Sequence, residues 1–262
     1  MNLKDYISFY SIETLIRKKQ FIPMRRFSSE WQGTDTKELY HANLQKQSLD
    51  WHYRNNRVKY TLNSKGYRTE EFKKIDWAES VVMFGCSMVY GVGVTDEDTI
   101  ANNLSKIINR PVINMGVGGS SISFALHNSL ILNSFYPTPK AVIYLWTDYD
   151  RCCYYNPDKV IHHGSWSAEQ GNFMDNWNLH ESNAKVQAMF ANMAVKQIWK
   201  DKTELVEASY FKRSAKLFNC RHLIHHPNYG LLGEVDYGRD LIHPGKDATK
   251  RWATDLSKML KL

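Results

Sequence analysis

The chain has few cysteines, no long apolar run and no concentration of charge of one sign. Cys86, Cys152, Cys153 and Cys220 are its only cysteines, and two of them are adjacent and cannot easily pair with each other. They form no recurring disulfide framework, so a reduced, cytoplasmic protein is the expectation. The longest apolar run, Ala141 to Trp146, is far too short to span a bilayer. Met1 to Gln20 is interrupted by Asp5 and Glu13 and lacks the apolar block of a signal peptide. The net charge is +7, but the basic residues are dispersed, with local clusters only at Arg17-Lys18-Lys19 and Arg25-Arg26. Dispersed charge is ordinarily a solvated face, and no nucleic-acid partner is expected. His162-His163 and His222, His225 and His226 do not combine helical spacing with a carboxylate, so no metal is expected. The Gly116-x-Gly118-Gly119 run lacks both the Gly-x-Gly-x-x-Gly order and a Gly-Lys-Ser/Thr ending, which argues against a nucleotide phosphate loop.

What is present suffices for a genuine core: 262 residues, 43% of them hydrophobic, can hold one sizeable domain plus an extension. The informative stretch is Val81 to Val94. Val81-Val82-Met83-Phe84 is wholly apolar, as a strand buried on both faces would be, and Gly85-Cys86-Ser87 ends it with little bulk. A serine at the carboxyl end of such a strand exposes its hydroxyl over the sheet edge, where the next amides point toward an incoming oxyanion. Cys86, between Gly85 and Ser87, is expected to point the opposite way, into the core. Near the far end, Asp240-Leu241-Ile242-His243-Pro244-Gly245 places an acid three residues before a histidine. Such a turn can hold the carboxylate against one ring nitrogen and leave the other free to take a proton from a serine. As a purely structural feature, Asp240 would cap a turn and His243 would precede the last helix.

Two middle blocks join these ends. Pro111 to Ser121 reads as a second apolar strand running into a glycine-rich loop, and Ala141 to Asp148 as a third strand running into a polar one. Four blocks in this order and spacing, each at a predicted strand end, resemble the SGNH (GDSL-type) hydrolases, a family of serine esterases and acyltransferases. The resemblance covers residues 80 to 260 and implies a flavodoxin-like, three-layer α/β/α sandwich around a central parallel sheet. It implies that Ser87 is the nucleophile and, through its amide, the first oxyanion donor. It also makes Gly119 the second donor, His243 the base and Asp240 its orienting acid, with no cofactor. Two positions depart from the family pattern. Gly85-Cys86-Ser87 stands where Gly-Asp-Ser is usual, and Trp146-Thr147-Asp148-Tyr149 stands where Gly-x-Asn-Asp is common. Asp148 thus replaces the asparagine of the oxyanion hole. An ionised aspartate only accepts hydrogen bonds, so the Thr147 hydroxyl or a residue of the 151–180 segment is the alternative donor.

Taken in order, Leu3, Tyr6, Ile7, Tyr10 and Leu15 form a stripe that predicts an amphipathic helix over residues 1–20. It would cover the body of the domain or a second copy, so a homodimer is one expectation. Trp51 to Arg54 and Tyr60 to Arg68 read as extended chain with a turn at Ser64 to Gly66. Together residues 1–78 make an N-terminal extension, expected to pack on the core. From residue 79 to 262, strands alternate with single helices, as in a parallel sheet with right-handed crossovers. Thr95 is the predicted N-cap of a helix running to Ile108, with Ile100, Leu104, Ile107 and Ile108 facing inward. Further helices are expected over 121–135, 182–200 and from Gly245, and a strand from Cys220 to His225. Regular alternation stops between Arg151 and His180. That insertion is rich in flat rings, and with Trp146 and Tyr149 its Tyr154, Tyr155 and Trp166 are candidates to stack on a sugar. The expected activity is hydrolysis of a small acyl ester, foremost an O-acetyl group on a carbohydrate. An acyltransferase on a glycan, or a carbohydrate-binding module that has kept the fold without catalysis, is the alternative.

Overall fold

A computed structural model describes residues 7–9, 21, 30–156, 159–164, 180–223 and 236–262. Among the described residues five strands form the main sheet: β2 (Val81–Gly85), β3 (Val112–Gly116), β4 (Ala141–Trp146), β7 (Glu204–Ser209) and β8 (Arg221–His222). They pair in the order β3-β2-β4-β7-β8 and every pair is parallel. In sequence rank that is 2-1-3-4-5, the doubly wound order of flavodoxin-like sheets, whose direction of winding reverses on either side of β2.

Alternation along the strands divides the core in two. Val82, Phe84, Ile113, Met115, Val142, Tyr144 and Trp146 face the helices α4 (Ile122–Phe135) and α5 (Glu181–Trp199). Val81, Met83, Val112, Ala141, Ile143 and Leu145 face α3 (Ile100–Ile108) and α7 (Lys246–Ser257). Both faces of the sheet are therefore covered, which is why β2, β3 and β4 lack the polar alternation of a half-exposed strand. The result is a three-layer α/β/α sandwich. Two shorter helices are α1 (Lys37–Leu44) in the N-terminal segment and α6 (Lys212–Phe218) after β7, whose Phe218 joins the core on the side of α4 and α5.

Several elements depart from the sequence reading. Ile7–Phe9 is a strand, β1, not part of a helix; it pairs antiparallel with β6 (Lys159–His163). The rest of the predicted helix over residues 1–20 lies outside the described residues. Arg151 to His180 is not loop throughout, because β5 (Cys152–Asn156) and β6 make an antiparallel hairpin that β1 extends to three strands. His52–Arg54 is a 3-10 turn rather than extended chain. The cap of α3 is Thr99, whose hydroxyl accepts the Asn102 amide, and Asp96–Asp98 form a separate 3-10 turn before it. Ile107 is 44% exposed rather than inward, whereas Ile100 and Leu104 are fully buried. Of the strand expected over 220–225, Arg221–His222 is seen, and 224–225 lie outside the described residues. No helix among the described residues is long and apolar enough to cross a membrane.

Candidate active site

β2 delivers its last residues to the carboxyl edge of the sheet, beside Gly116 of β3 and Leu145 of β4. The chain passes through Cys86 in extended conformation and turns into the short helix α2 (Ser87–Tyr90). Close backbone contact makes this possible: a Cβ on Gly116 would lie 2.4 Å from the Tyr90 nitrogen and 2.8 Å from the Val89 carbonyl carbon. Asn114 locks the arrangement, donating from Nδ2 to the Val89 carbonyl (2.8 Å) while Oδ1 accepts the Gly116 amide (2.9 Å). Ser87 is consequently the first helical residue, half-buried, with its amide among those that a helix leaves without an internal partner.

The second component is the turn from Asp236 to Gly245. Leu241 adopts a left-handed φ of 55°, and Gly238 accepts the Leu241 amide and donates to the His243 carbonyl. Within this knot Asp240 Oδ1 accepts the amides of Ile242 (3.1 Å) and His243 (3.0 Å), leaving Oδ2 directed at the imidazole. His243 Nδ1 lies 2.6 Å from Asp240 Oδ2, and His243 Nε2 lies 2.8 Å from Ser87 Oγ. Asp240 is 1% and His243 7% exposed. Burial pushes the Asp240 carboxyl up, but His243 and the hydroxyl of Thr34 outweigh it and hold the group below its ordinary value. The ionised carboxylate can only accept, so Nδ1 carries the proton and Nε2 presents its lone pair to Ser87. Asp236 anchors the turn to α7, its Oδ2 accepting the Asp247 and Ala248 amides at the start of that helix.

The resemblance also singles out the loop after β3. Val117 N donates to the Gly85 carbonyl (3.0 Å), as does Ser120 Oγ (3.2 Å), so the loop is tied to the residue two before Ser87. Gly119 sits within it at φ 72°, a left-handed conformation that suits glycine.

The Asp148 carboxylate is held by an arginine. From α6, Arg213 Nε donates to Asp148 Oδ1 and Nη2 to Oδ2, each at 2.6 Å, and the Tyr149 amide also donates to Oδ1 (3.0 Å). Both oxygens are committed as acceptors, so this side chain supplies no donor to an oxyanion. Thr147 is buried, with its hydroxyl next to Cys86 and Tyr210. Cys86 is fully buried, its Sγ 2.7 Å from the Tyr210 hydroxyl. Burial acts to raise its pKa, but the Arg151 cation, the Tyr210 hydroxyl and the Met88 amide bring it below the ordinary thiol value.

The proposed stacking rings fare unevenly. Trp146 is a core residue at 2% exposure, stacked on Tyr144, with Nε1 donating to Glu207 (2.9 Å). An even-numbered position on β4 faces α4 and α5, not solvent. Tyr149 is 4% exposed and its hydroxyl donates to Glu181 (2.5 Å), so it too offers no free face. Tyr155 is 37% exposed and stacks on His127. The side chain of Tyr154 and the whole of Trp166 lie outside the described residues.

Sequence reasoning missed the contribution of residues 30–60. Gln32 and Asp35 exchange backbone hydrogen bonds across a tight turn. Thr34 at its tip donates its hydroxyl to Asp240 Oδ2 (2.5 Å). Asp35 takes Arg239 Nε (2.9 Å) and Nη2 (2.8 Å) and the Tyr60 hydroxyl (2.5 Å). Nothing local marks these residues, since their partners on the Asp236–Gly245 turn are some two hundred positions away.

No family model matches the chain, and no curated protein does. Among solved structures it is similar to a protein named for the lipolytic G-D-S-L family from Desulfitobacterium hafniense, at 13% identity and a TM-score of 0.47, over 70% of this chain and 99% of that one. It is also similar to a member of that lipolytic family from Veillonella parvula, at 13% identity and TM-score 0.41, over 70% and 97%. An acetyl xylan esterase from the rumen bacterium Butyrivibrio proteoclasticus matches at 10% identity and TM-score 0.46, over 71% of this chain and 64% of that one. At such identities and TM-scores the likeness carries no chemistry over to this chain.

Proposed function

We propose that the protein is a serine hydrolase of SGNH type that cleaves a small acyl ester through an acyl-enzyme on Ser87. One observation carries the reading: a hydroxyl, an imidazole and a buried carboxylate stand in line, at 2.8 Å and 2.6 Å, over the carboxyl edge of a parallel sheet. In this reading His243 Nε2 takes the proton as Ser87 Oγ attacks the ester carbonyl carbon. The amides of Ser87 and Gly119 receive the oxyanion. Collapse of the tetrahedral intermediate expels the alcohol, which leaves with the proton from His243. Water, deprotonated by the same nitrogen, then attacks the acyl carbon, and Ser87 leaves with that proton restored. Asp240 stabilises the imidazolium throughout. With Asp148 engaged by Arg213, the oxyanion has two amide donors, and the loss of one further donor typically costs about 2.7 to 4 kcal/mol of barrier. A modest turnover number is the consequence.

For the substrate, we favour an O-acetyl group on a carbohydrate, supported by the exposed Tyr155 ring in the hairpin after β4. Acetate release from acetylated xylo-oligosaccharides, measured beside p-nitrophenyl acetate hydrolysis, tests both levels. Release of acetate from both, lost in Ser87→Ala, is expected. Turnover of the nitrophenyl ester alone would remove the carbohydrate; glycan binding equal in both proteins without any turnover would leave a binding module.

A further inference from the structure

The turn that carries Asp240 and His243 does not stand alone. Two consecutive residues of the N-terminal segment meet two consecutive residues of this turn: Thr34 meets Asp240, and Asp35 meets Arg239. The second contact is a buried, two-pronged ion pair, with side chains 1% and 5% exposed. Arg239 is held further, its guanidinium 3.9 Å from the centre of the Trp31 ring, its Nη2 donating to the Glu30 carbonyl, and its own carbonyl accepting Asn43 Nδ2 of α1 (3.2 Å). Tyr60 completes the anchor, donating to Asp35 while accepting the Gly93 amide (2.8 Å), and the Gly93 carbonyl in turn accepts the Arg239 amide (2.8 Å). This frame leaves Thr34 little freedom. Its hydroxyl lies 2.5 Å from Asp240 Oδ2 and 3.4 Å from His243 Nδ1, beside the same carboxylate oxygen that the imidazole uses.

We propose that Thr34 is a positioning residue of the active site, its hydroxyl holding Asp240 Oδ2 in line with His243, and that residues 30–60 are thereby part of the catalytic unit. The proposal rests on the esterase reading above. Among the described residues, the two oxygens of Asp240 take four donors. Oδ1 is fixed by the Ile242 and His243 amides, and Oδ2 is shared between His243 and Thr34. Removing the Thr34 hydroxyl frees the carboxylate to rock about its Oδ1 anchor, and it returns to the imidazole the share of negative charge that the hydroxyl had drawn off. The first effect slows the chemical step. The second steadies the imidazolium, so deprotonation of the base requires a higher pH. Among the described residues, the charged and titratable groups that act on Asp240 are His243 from its own turn, Asp35 from the Gln32–Asp35 turn and Tyr53 from the segment behind, with Arg239 and Tyr60 bonded to Asp35. None of these is altered by a change at position 34.

The test uses the full chain as wild type, Thr34→Val and Thr34→Ser, measuring kcat and KM for p-nitrophenyl acetate across pH, the rate of fluorophosphonate labelling, and the melting temperature. Thr34→Val should lower kcat about tenfold, the scale of one lost hydrogen bond to a charged group, with little change in KM. The acidic limb of its kcat/KM profile should move upward by roughly half a pH unit. Thr34→Ser, which keeps the hydroxyl, should restore both. A Thr34→Val enzyme within twofold of wild type, a loss of kcat with the limb unmoved, or a Thr34→Ser enzyme as impaired as Thr34→Val would each overturn the proposal. Failure of the esterase reading looks different: wild type itself would neither label nor turn over.

Discussion

Asp148 and Arg213 settle the charge balance beside the site. An unpaired carboxylate next to a developing oxyanion would oppose the reaction. The two-pronged contact from Arg213, which also reaches Asp150 at 2.6 Å, neutralises it. Arg213→Gln should therefore lower kcat more than its effect on folding explains if the esterase reading holds, because it leaves the Asp148 carboxylate, in the loop that follows β4, without its arginine partner. The stability loss should be modest, about 1 to 2 kcal/mol by urea denaturation, since the arginine is 48% exposed. Cys86 offers a second test at this scale. It is buried against Tyr210, with its Sγ also accepting the Ser87 hydroxyl at 3.8 Å, and the imidazole reaches Ser87 rather than the thiol, so Cys86→Ala should retain labelling by a fluorophosphonate, and loss of labelling in that variant would reverse the assignment. The site positions that could be read from sequence are those set by local geometry. Ser87 closes an apolar strand, and Asp240 and His243 sit three apart in one turn. Thr34, Asp35 and Arg213 could not be read, because each acts on a partner brought to it by the fold. The misplacement of Trp146 has a simpler origin: a strand-end aromatic adjoins the site in sequence, but side-chain alternation points it into the core.

Among the elements, α2 is the one whose position the chemistry depends on. It lies so close to β3 that Gly116 admits no side chain, and Asn114 fastens it there. Gly116→Ala should push α2 outward, lowering stability by about 1 to 3 kcal/mol and slowing labelling of Ser87. Equal labelling rates in the two proteins would show that the contact is slack. Thr99→Ala, which removes the cap of α3, should cost about 1 kcal/mol by urea denaturation. Elements defined by a continuous apolar run were legible, and β2, β3 and β4 stand where the sequence puts them. The misjudged ones had other determinants. Between β5 and β6 the sequence reads Asn156-Pro157-Asp158-Lys159, a turn signal hidden by the aromatic content around it. β1 is three residues paired with a strand some hundred and fifty positions later, a partner that no local pattern announces.

For the molecule as a whole, the buried Asp35–Arg239 pair joins the N-terminal segment to the turn bearing Asp240. Breaking a buried pair by removing one partner leaves the other charge uncompensated, so Asp35→Ala should lose about 3 to 5 kcal/mol, read as a lower denaturant midpoint. The pH dependence of stability comes from two buried carboxyls with opposite tendencies. Asp240 is held below its ordinary value in the folded chain, so its stabilisation is present above the unfolded carboxylate range, about pH 4, and fades as pH falls through the folded value. Burial pushes Asp35 the other way, and its contribution grows less unfavourable on acidification. Asp240→Asn should accordingly lose less stability than wild type between about pH 6 and 3, and an identical slope for the two proteins would deny that Asp240 is held ionised.

The central claim is that Ser87 is a nucleophile activated across 2.8 Å by His243. Treating the purified protein with a fluorophosphonate and locating the adduct by peptide mass mapping tests it most directly. The account predicts one adduct, on Ser87, absent from Ser87→Ala and nearly absent from His243→Ala. An unlabelled wild-type protein, or an adduct on any other residue, would contradict it.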